Sequence, residues 1–187
     1  MPFYAYLIII AGIILWFYPF VPAHQKTGPA SIVDRRSRWG MLLQFLAFTL
    51  LWQGRFWTRS LPPWRLALCV MLFVLASGLS WSSSRALAGQ LRADAALGAD
   101  HHLVRSGPYS LVRNPIYSSM LLVICAIAVV VTPWPLFLAA VVVFVVGTEI
   151  RVRTEEKLLA SHFGEEFTNY KRSTPAYIPF LKTSVRS

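Results

Sequence analysis

"NPIYSSMLLVICAIAVVVTPWPLFLAAVVVFVVGTE", residues 114 to 149, carries no charged side chain until its last residue. Its one interruption is Thr132-Pro133-Trp134-Pro135. Proline lacks an amide proton and crowds the preceding turn, so two prolines this close stop one helix and start another. The stretch therefore predicts a helical hairpin with two adjacent, antiparallel arms. Crossing a bilayer takes about 20 mostly apolar residues, so the arms Ile116–Val131 and Pro135–Thr148 must each borrow flanking residues to span it.

Three further segments without Asp, Glu, Lys or Arg lie upstream, at Phe3–Val21, Trp39–Gly54 and Leu66–Ser84. With 56% hydrophobic and 14% charged residues in 187, the chain is too apolar for an ordinary soluble domain. The expected fold class is an all-α integral membrane protein with about five transmembrane helices. A tight hairpin joins the fourth and fifth, and a helical segment follows on the cytoplasmic side. The first segment lacks a basic leader and its apolar run is too long for a signal core, so a retained helix is expected there.

The net charge of +10 does not mark a nucleic-acid protein, because the basic residues follow the expected topology. Four lie between the first and second segments (Lys26, Arg35, Arg36, Arg38), four between the third and fourth (Arg85, Arg92, Arg105, Arg113) and seven in the tail. The intervening connections hold three and none. Positive charge collects on the cytoplasmic side, so the N-terminus is expected outside and the first loop, third loop and tail inside. Cys69 and Cys125 both fall in apolar segments, where small buried side chains are the expected reading; neither implies a metal site or a disulfide framework.

That topology brings residues 101–117 beside residues 149–170, where most of the unusual polar groups lie. Asn114-Pro115 reads as an N-cap followed by the first helical residue. Asn114 either caps its own helix or helps present that helix end to an anionic group. Gly107-Pro108 is a turn that delivers Tyr109 to the helix mouth, where it is a headgroup anchor or part of a site. Arg151 and Glu155 stand at i,i+4 on one helix face, as do Glu149 and Arg153. Either pair is a structural ion pair or the working part of a site, since ionisable groups at membrane depth are costly. Gly164 suits a helix end, and Phe163, Phe167 and Tyr170 then follow on an amphipathic segment lying on the membrane surface or over the site.

"HHLVRSGPYSLVRNPIY" (101–117) and "RVRTEEKLLASHFGEEFTNYKRSTPAYIPFLK" (151–182) together resemble the isoprenylcysteine carboxyl methyltransferases and their bacterial relatives, a group also similar to the membrane phospholipid methyltransferases. The resemblance covers about residues 100–182, the expected methyltransferase core within a single membrane domain of 1–187. Residues 1–99, with the first three helices, form the more variable half. The resemblance implies S-adenosylmethionine as cofactor, and no glycine-rich strand-turn-helix fingerprint competes with it. Carried over by position, cofactor contacts fall on His101, Leu103, Val104, Tyr109, Asn114, Pro115, Ile116, Tyr117 and Glu155. Arg151 takes the place of the substrate-handling arginine and, with Glu155, forms the catalytic pair.

Two positions depart from the family's Arg-His-Pro-x-Tyr-x-Gly pattern: Asn114 replaces the histidine and Ser119 the glycine. The implied acceptor is hydrophobic, prenylated or lipid-linked, and a carboxylate acceptor needs no general base. A phospholipid amine acceptor is the alternative; it must lose a proton, which Glu149 or Glu155 would take. A small transporter or a scaffold is the competing non-enzyme class, although a transporter should carry polar residues along its spans. The expected partner is the lipid bilayer and not nucleic acid. The expected location is a bacterial inner membrane, or the endoplasmic reticulum in a eukaryote.

Overall fold

The computed structural model describes residues 2–21, 32–33, 37–54, 61–87, 96–97 and 103–179. In chain order they form α1 (Phe3–Phe17), β1 (Ile32–Val33), α2 (Ser37–Leu50), α3 (Pro63–Leu87), β2 (Ala96–Leu97), a 3-10 turn (Gly107–Ser110), α4 (Pro115–Val131), α5 (Trp134–Phe163) and α6 (Glu165–Ser173). Among the described residues, the regular structure is helical apart from the two-residue pairing of β1 with β2, antiparallel with Ile32 opposite Leu97. That pairing joins the first loop to the third, the two loops expected to share a side.

Among the described residues, α3 and α5 are long and apolar enough to cross a bilayer unaided, while α1 and α4 are apolar but shorter. Aromatic and cationic side chains mark both ends of α3. The Arg65 guanidinium lies 5.3 Å from the Trp64 ring and that of Arg85 5.5 Å from Trp81. Seventeen residues at 1.5 Å rise separate these tryptophans by about 25 Å, close to the thickness of a hydrocarbon core.

Helix α1 ends at Phe17, short of the expected Val21, and the cause is chemical. Pro19 has no amide proton for the carbonyl of Leu15. Neighbouring α3 supplies donors instead: Trp81 Nε1 to Leu15 O at 2.9 Å, Ser80 Oγ to Trp16 O at 2.8 Å and Ser84 Oγ to Pro19 O at 3.0 Å. Lower down, Phe73 packs where a Cβ on Gly12 would stand 2.4 Å away. The α3 serines thus satisfy the carbonyls that a helix end leaves unpaired.

The Pro-broken hairpin is present, since α4 stops at Val131 and α5 begins at Trp134. Its arms are less intimate than expected. Helix α4 packs chiefly on α3, and α5 chiefly on α2. The α2–α5 contact is close because Gly40 and Gly147 face each other; a Cβ on Gly40 would lie 2.5 Å from the Gly147 carbonyl oxygen. Small residues of this kind let membrane helices approach closely. Gln44 Nε2 then donates to Thr148 Oγ1 at 2.9 Å across the seam. At the far end Thr132 Oγ1, in the hairpin turn, donates to Leu51 O at 2.9 Å. The core of the bundle is filled by Phe73, Val123, Ile124, Ile127, Val130 and Phe144 among others.

Candidate active site

The carboxyl ends of α1, α3 and α5 and the amino ends of α2 and α4 gather at one pole of the bundle. Trp16 Nε1 donates to Ser119 Oγ at 3.0 Å, so the serine that replaces the family's glycine ties α1 to α4. Gly40 rests on the stem of Arg151. Three polar assemblies are built there.

The first is centred on Tyr117, buried in the first turn of α4. Its hydroxyl donates to Glu155 Oε1 at 2.5 Å and accepts from Arg151 Nε at 2.7 Å. A phenol can do both at once. Arg151 Nη2 reaches the same carboxylate oxygen at 3.4 Å. The i,i+4 spacing puts Arg151 and Glu155 on one face of α5, and the tyrosine enters between them from α4. The Arg151 side chain is 9% exposed and that of Glu155 29%, so the carboxylate is the more accessible of the two.

The second is a clasp around Arg113. Its Nε and Nη2 donate to Glu156 Oε1 at 3.1 and 2.9 Å, and its Nη1 donates to the carbonyls of Lys171 and Thr174. Lys171 Nζ holds the other oxygen of Glu156. The backbone is fastened as well: the amides of Arg113 and Asn114 donate to Pro175 O and Ala176 O at 2.8 and 3.0 Å. Ser118 Oγ donates to Tyr177 O at 2.8 Å, and the Tyr177 hydroxyl to Glu149 Oε2 at 3.0 Å. Segment 174–177 therefore straps the mouth of α4 to α5. Asn114 is the N-cap residue by position, but its side chain makes no capping bond; Nδ2 donates to Ala176 O at 3.2 Å. The tail takes the donor end of the amide group, and its oxygen caps no helix amide.

The third surrounds Tyr109. Gly107 adopts φ +60°, a conformation costly for any residue with a Cβ, and the following 3-10 turn lays Tyr109 inward. The Tyr170 hydroxyl of α6 donates to Tyr109 O at 2.6 Å, while Phe167 and Tyr170 are the buried residues of α6. The amphipathic segment therefore turns its apolar face inward, toward the site. Burial, with the Glu155 charge adding to it, pushes the Tyr109 hydroxyl well above the usual tyrosine range; it stays a neutral donor at physiological pH. Beside it, Leu103, Val104, Arg105 and Ser106 line a cavity of about 460 Å³ with Ala86 of α3.

Of the residues expected at the site, Tyr117, Arg151 and Glu155 are bonded to one another. Leu103 and Val104 line the cavity; Tyr109 lies on the approach to α4, Asn114 at its N-cap, and Pro115 and Ile116 are its first two residues. His101 lies outside the described residues. Glu149 pairs with Arg153 at 2.7 Å and, with side chains 42% and 74% exposed, belongs to the surface. Arg113, Glu156 and Tyr177 were not among the expected site residues. A signal existed for the first two: five of the chain's eight acids fall in 149–166, so a cation entering the bundle beside α4 has to find its partner there.

A family model described as phospholipid methyltransferase matches residues 64–166, more than half of the chain. Two curated relatives match over 79 residues, 42% of this chain: the cobalt-zinc-cadmium resistance protein CzcN of Cupriavidus metallidurans at 39% identity, and the nickel-cobalt-cadmium resistance protein NccN of Alcaligenes xylosoxydans xylosoxydans at 33%. The matched stretch covers 36% and 37% of those two proteins, little more than a third of their length. The chain belongs to the phospholipid methyltransferase family, the family of the isoprenylcysteine carboxyl methyltransferase-like membrane methyltransferases.

Proposed function

We propose that this protein is an S-adenosylmethionine-dependent membrane methyltransferase that methylates the carboxylate of a hydrophobic or lipid-linked acceptor. The observation that carries the reading is the Tyr117–Arg151–Glu155 assembly, a buried cation and a partly exposed anion held at fixed positions by one hydroxyl. The neighbouring cavity falls in the roughly 300 to 1,000 Å³ range of small-molecule sites. Leu103 and Val104 offer the cofactor apolar walls, while Glu155, outside the cavity lining, is the negative partner in this reading for a cationic amino-acid arm.

When bound, S-adenosylmethionine supplies a methyl group that is already electrophilic. The chain's task is then placement and exclusion of water, a proximity effect that can contribute several kcal/mol. Arg151 orients the acceptor carboxylate through charge-assisted hydrogen bonds. Tyr117 bonds both the guanidinium and the carboxylate and so holds the two charges in a fixed relation. The C-terminal strap closes the pole of the bundle over them. Five spans, with this pole in the cytoplasm, belong to the same proposal; cysteines placed at 106 and 173 should label from the cytoplasmic side.

Methylation of a phospholipid amine is the second reading, favoured by the description of the matching family. Purified full-length protein in detergent, given radiolabelled donor and membrane lipid extract, separates the two. A methyl ester releases labelled methanol in base, and that is the expected product. Base-stable label on an amine lipid would establish the second reading. No transfer to any lipid fraction, together with no donor binding, would overturn both.

A further inference from the structure

Helix α2 lies outside the residues matched by the family, yet it reaches the same pole. Its buried residues are Ser37, Gly40, Gln44 and Ala47, spaced three, four and three apart and so on a single stripe. That stripe faces α5 in a fixed antiparallel register, set by the Gln44–Thr148 bond and by Gly40 resting on Gly147 and Arg151. One turn before Gly40, the register brings Ser37 to the level of Arg151 to Glu155.

Ser37 Oγ is fully buried and has no hydrogen-bond partner among the described residues. Buried hydroxyls are almost always bonded, and an unmade bond there costs stability. The residue opens a 14-residue helix, whose first amides carry partial positive charge along the same direction. Gly40 lets the stem of Arg151 lie against that helix, since a Cβ would stand 2.5 Å from Arg151 Cγ. A spare hydroxyl donor, a helix amino end and an arginine together are complementary to an anion with more than one oxygen.

We infer that Ser37 and the amino end of α2 form, with Arg151, the receptor for the acceptor's carboxylate. The inference rests on the methyltransferase reading and deepens it: the acceptor is an acid, and part of its recognition comes from α2, outside the residues the family model matches.

The test uses the full chain in neutral detergent, with hexadecanoate and its methyl ester as probes. Wild type should bind the acid at least tenfold more tightly than the ester. Ser37→Ala should weaken acid binding several-fold and leave the ester unchanged. It should also raise the melting temperature, because it removes an unpaired buried hydroxyl. Equal binding of acid and ester by wild type, undiminished acid binding by Ser37→Ala, or a lowered melting temperature in that variant would each overturn the inference. Donor affinity measured on the same preparations fails separately: its absence in wild type would remove the methyltransferase reading whatever the acid does.

Discussion

The α1–α3 seam and the α4–α5 pole are both stitched by polar side chains inside an apolar bundle, but with opposite chemistry. Along α1–α3 these bonds are neutral, and each ends on a carbonyl that a proline-terminated helix left open. At the α4–α5 pole the bonds involve Arg113, Arg151, Lys171, Glu155 and Glu156. Taking charges out of water is costly, and a buried ion pair often stabilises no more than a well-packed apolar pair. Neutral serines would hold helices together at lower cost, as α3 demonstrates. A group of charges kept where uncharged groups would suffice for folding is what a site for an ionic ligand requires.

The contrast breaks most visibly at Arg113. Arg113→Ala leaves Glu156 with one partner and two tail carbonyls without donors, and should destabilise the protein by about 3 to 5 kcal/mol. Denaturation in mild detergent measures this. A loss below about 1 kcal/mol would place Arg113 with ordinary surface pairs.

Arg151→Ala sharpens the contrast within the pole. Methyl transfer should fall about a hundredfold through loss of acceptor placement, with donor affinity within a few-fold of wild type. Parallel loss of stability, donor binding and transfer would instead mark Arg151–Glu155 as a structural pair. On the other seam, Ser80→Ala removes one neutral hydrogen bond. It should cost about 1 kcal/mol and leave donor affinity unaltered, which calorimetry and thermal unfolding check together.

The smallest expected effect is in the pH dependence. Burial raises the Tyr170 hydroxyl from its ordinary value of 10 to about 12. The folded protein therefore keeps a proton that the unfolded chain releases, and stability falls as pH rises between those values. Tyr170→Phe should flatten that slope relative to wild type while losing the bond to Tyr109 O. An unchanged slope would show that this hydroxyl ionises as readily in the folded state as in the unfolded one.

Residues 114–149 made the hairpin legible because prolines and the absence of charge are local signals. The Arg151–Glu155 pair was legible for the same reason, being set by helical spacing alone. What the sequence did not disclose is long-range. Nothing near Thr132 says that α4 and α5 lean on α3 and α2, since that choice depends on distant residues such as Gly40, which meets Gly147. The end of α1 was readable in principle from Pro19, but the donors that rescue its carbonyls lie more than 60 residues away. Asn114 shows a local rule overridden: the cap position is correct, yet the amide group serves a tail that returns from residue 176. Tyr117 as the link between Arg151 and Glu155 likewise required the two helices to be placed in space.

Titration of S-adenosylmethionine into the purified full-length protein in detergent, with Glu155→Ala and Ser80→Ala beside wild type, tests the central claim most directly. The account predicts saturable binding to wild type and to Ser80→Ala with equal affinity. For Glu155→Ala it predicts affinity at least about tenfold weaker, as expected when a charge-assisted hydrogen bond of about 1.5 to 3 kcal/mol is lost. Absence of saturable binding to the folded wild type, or equal affinity in all three, would contradict the assignment of the charged pole to the methyl donor.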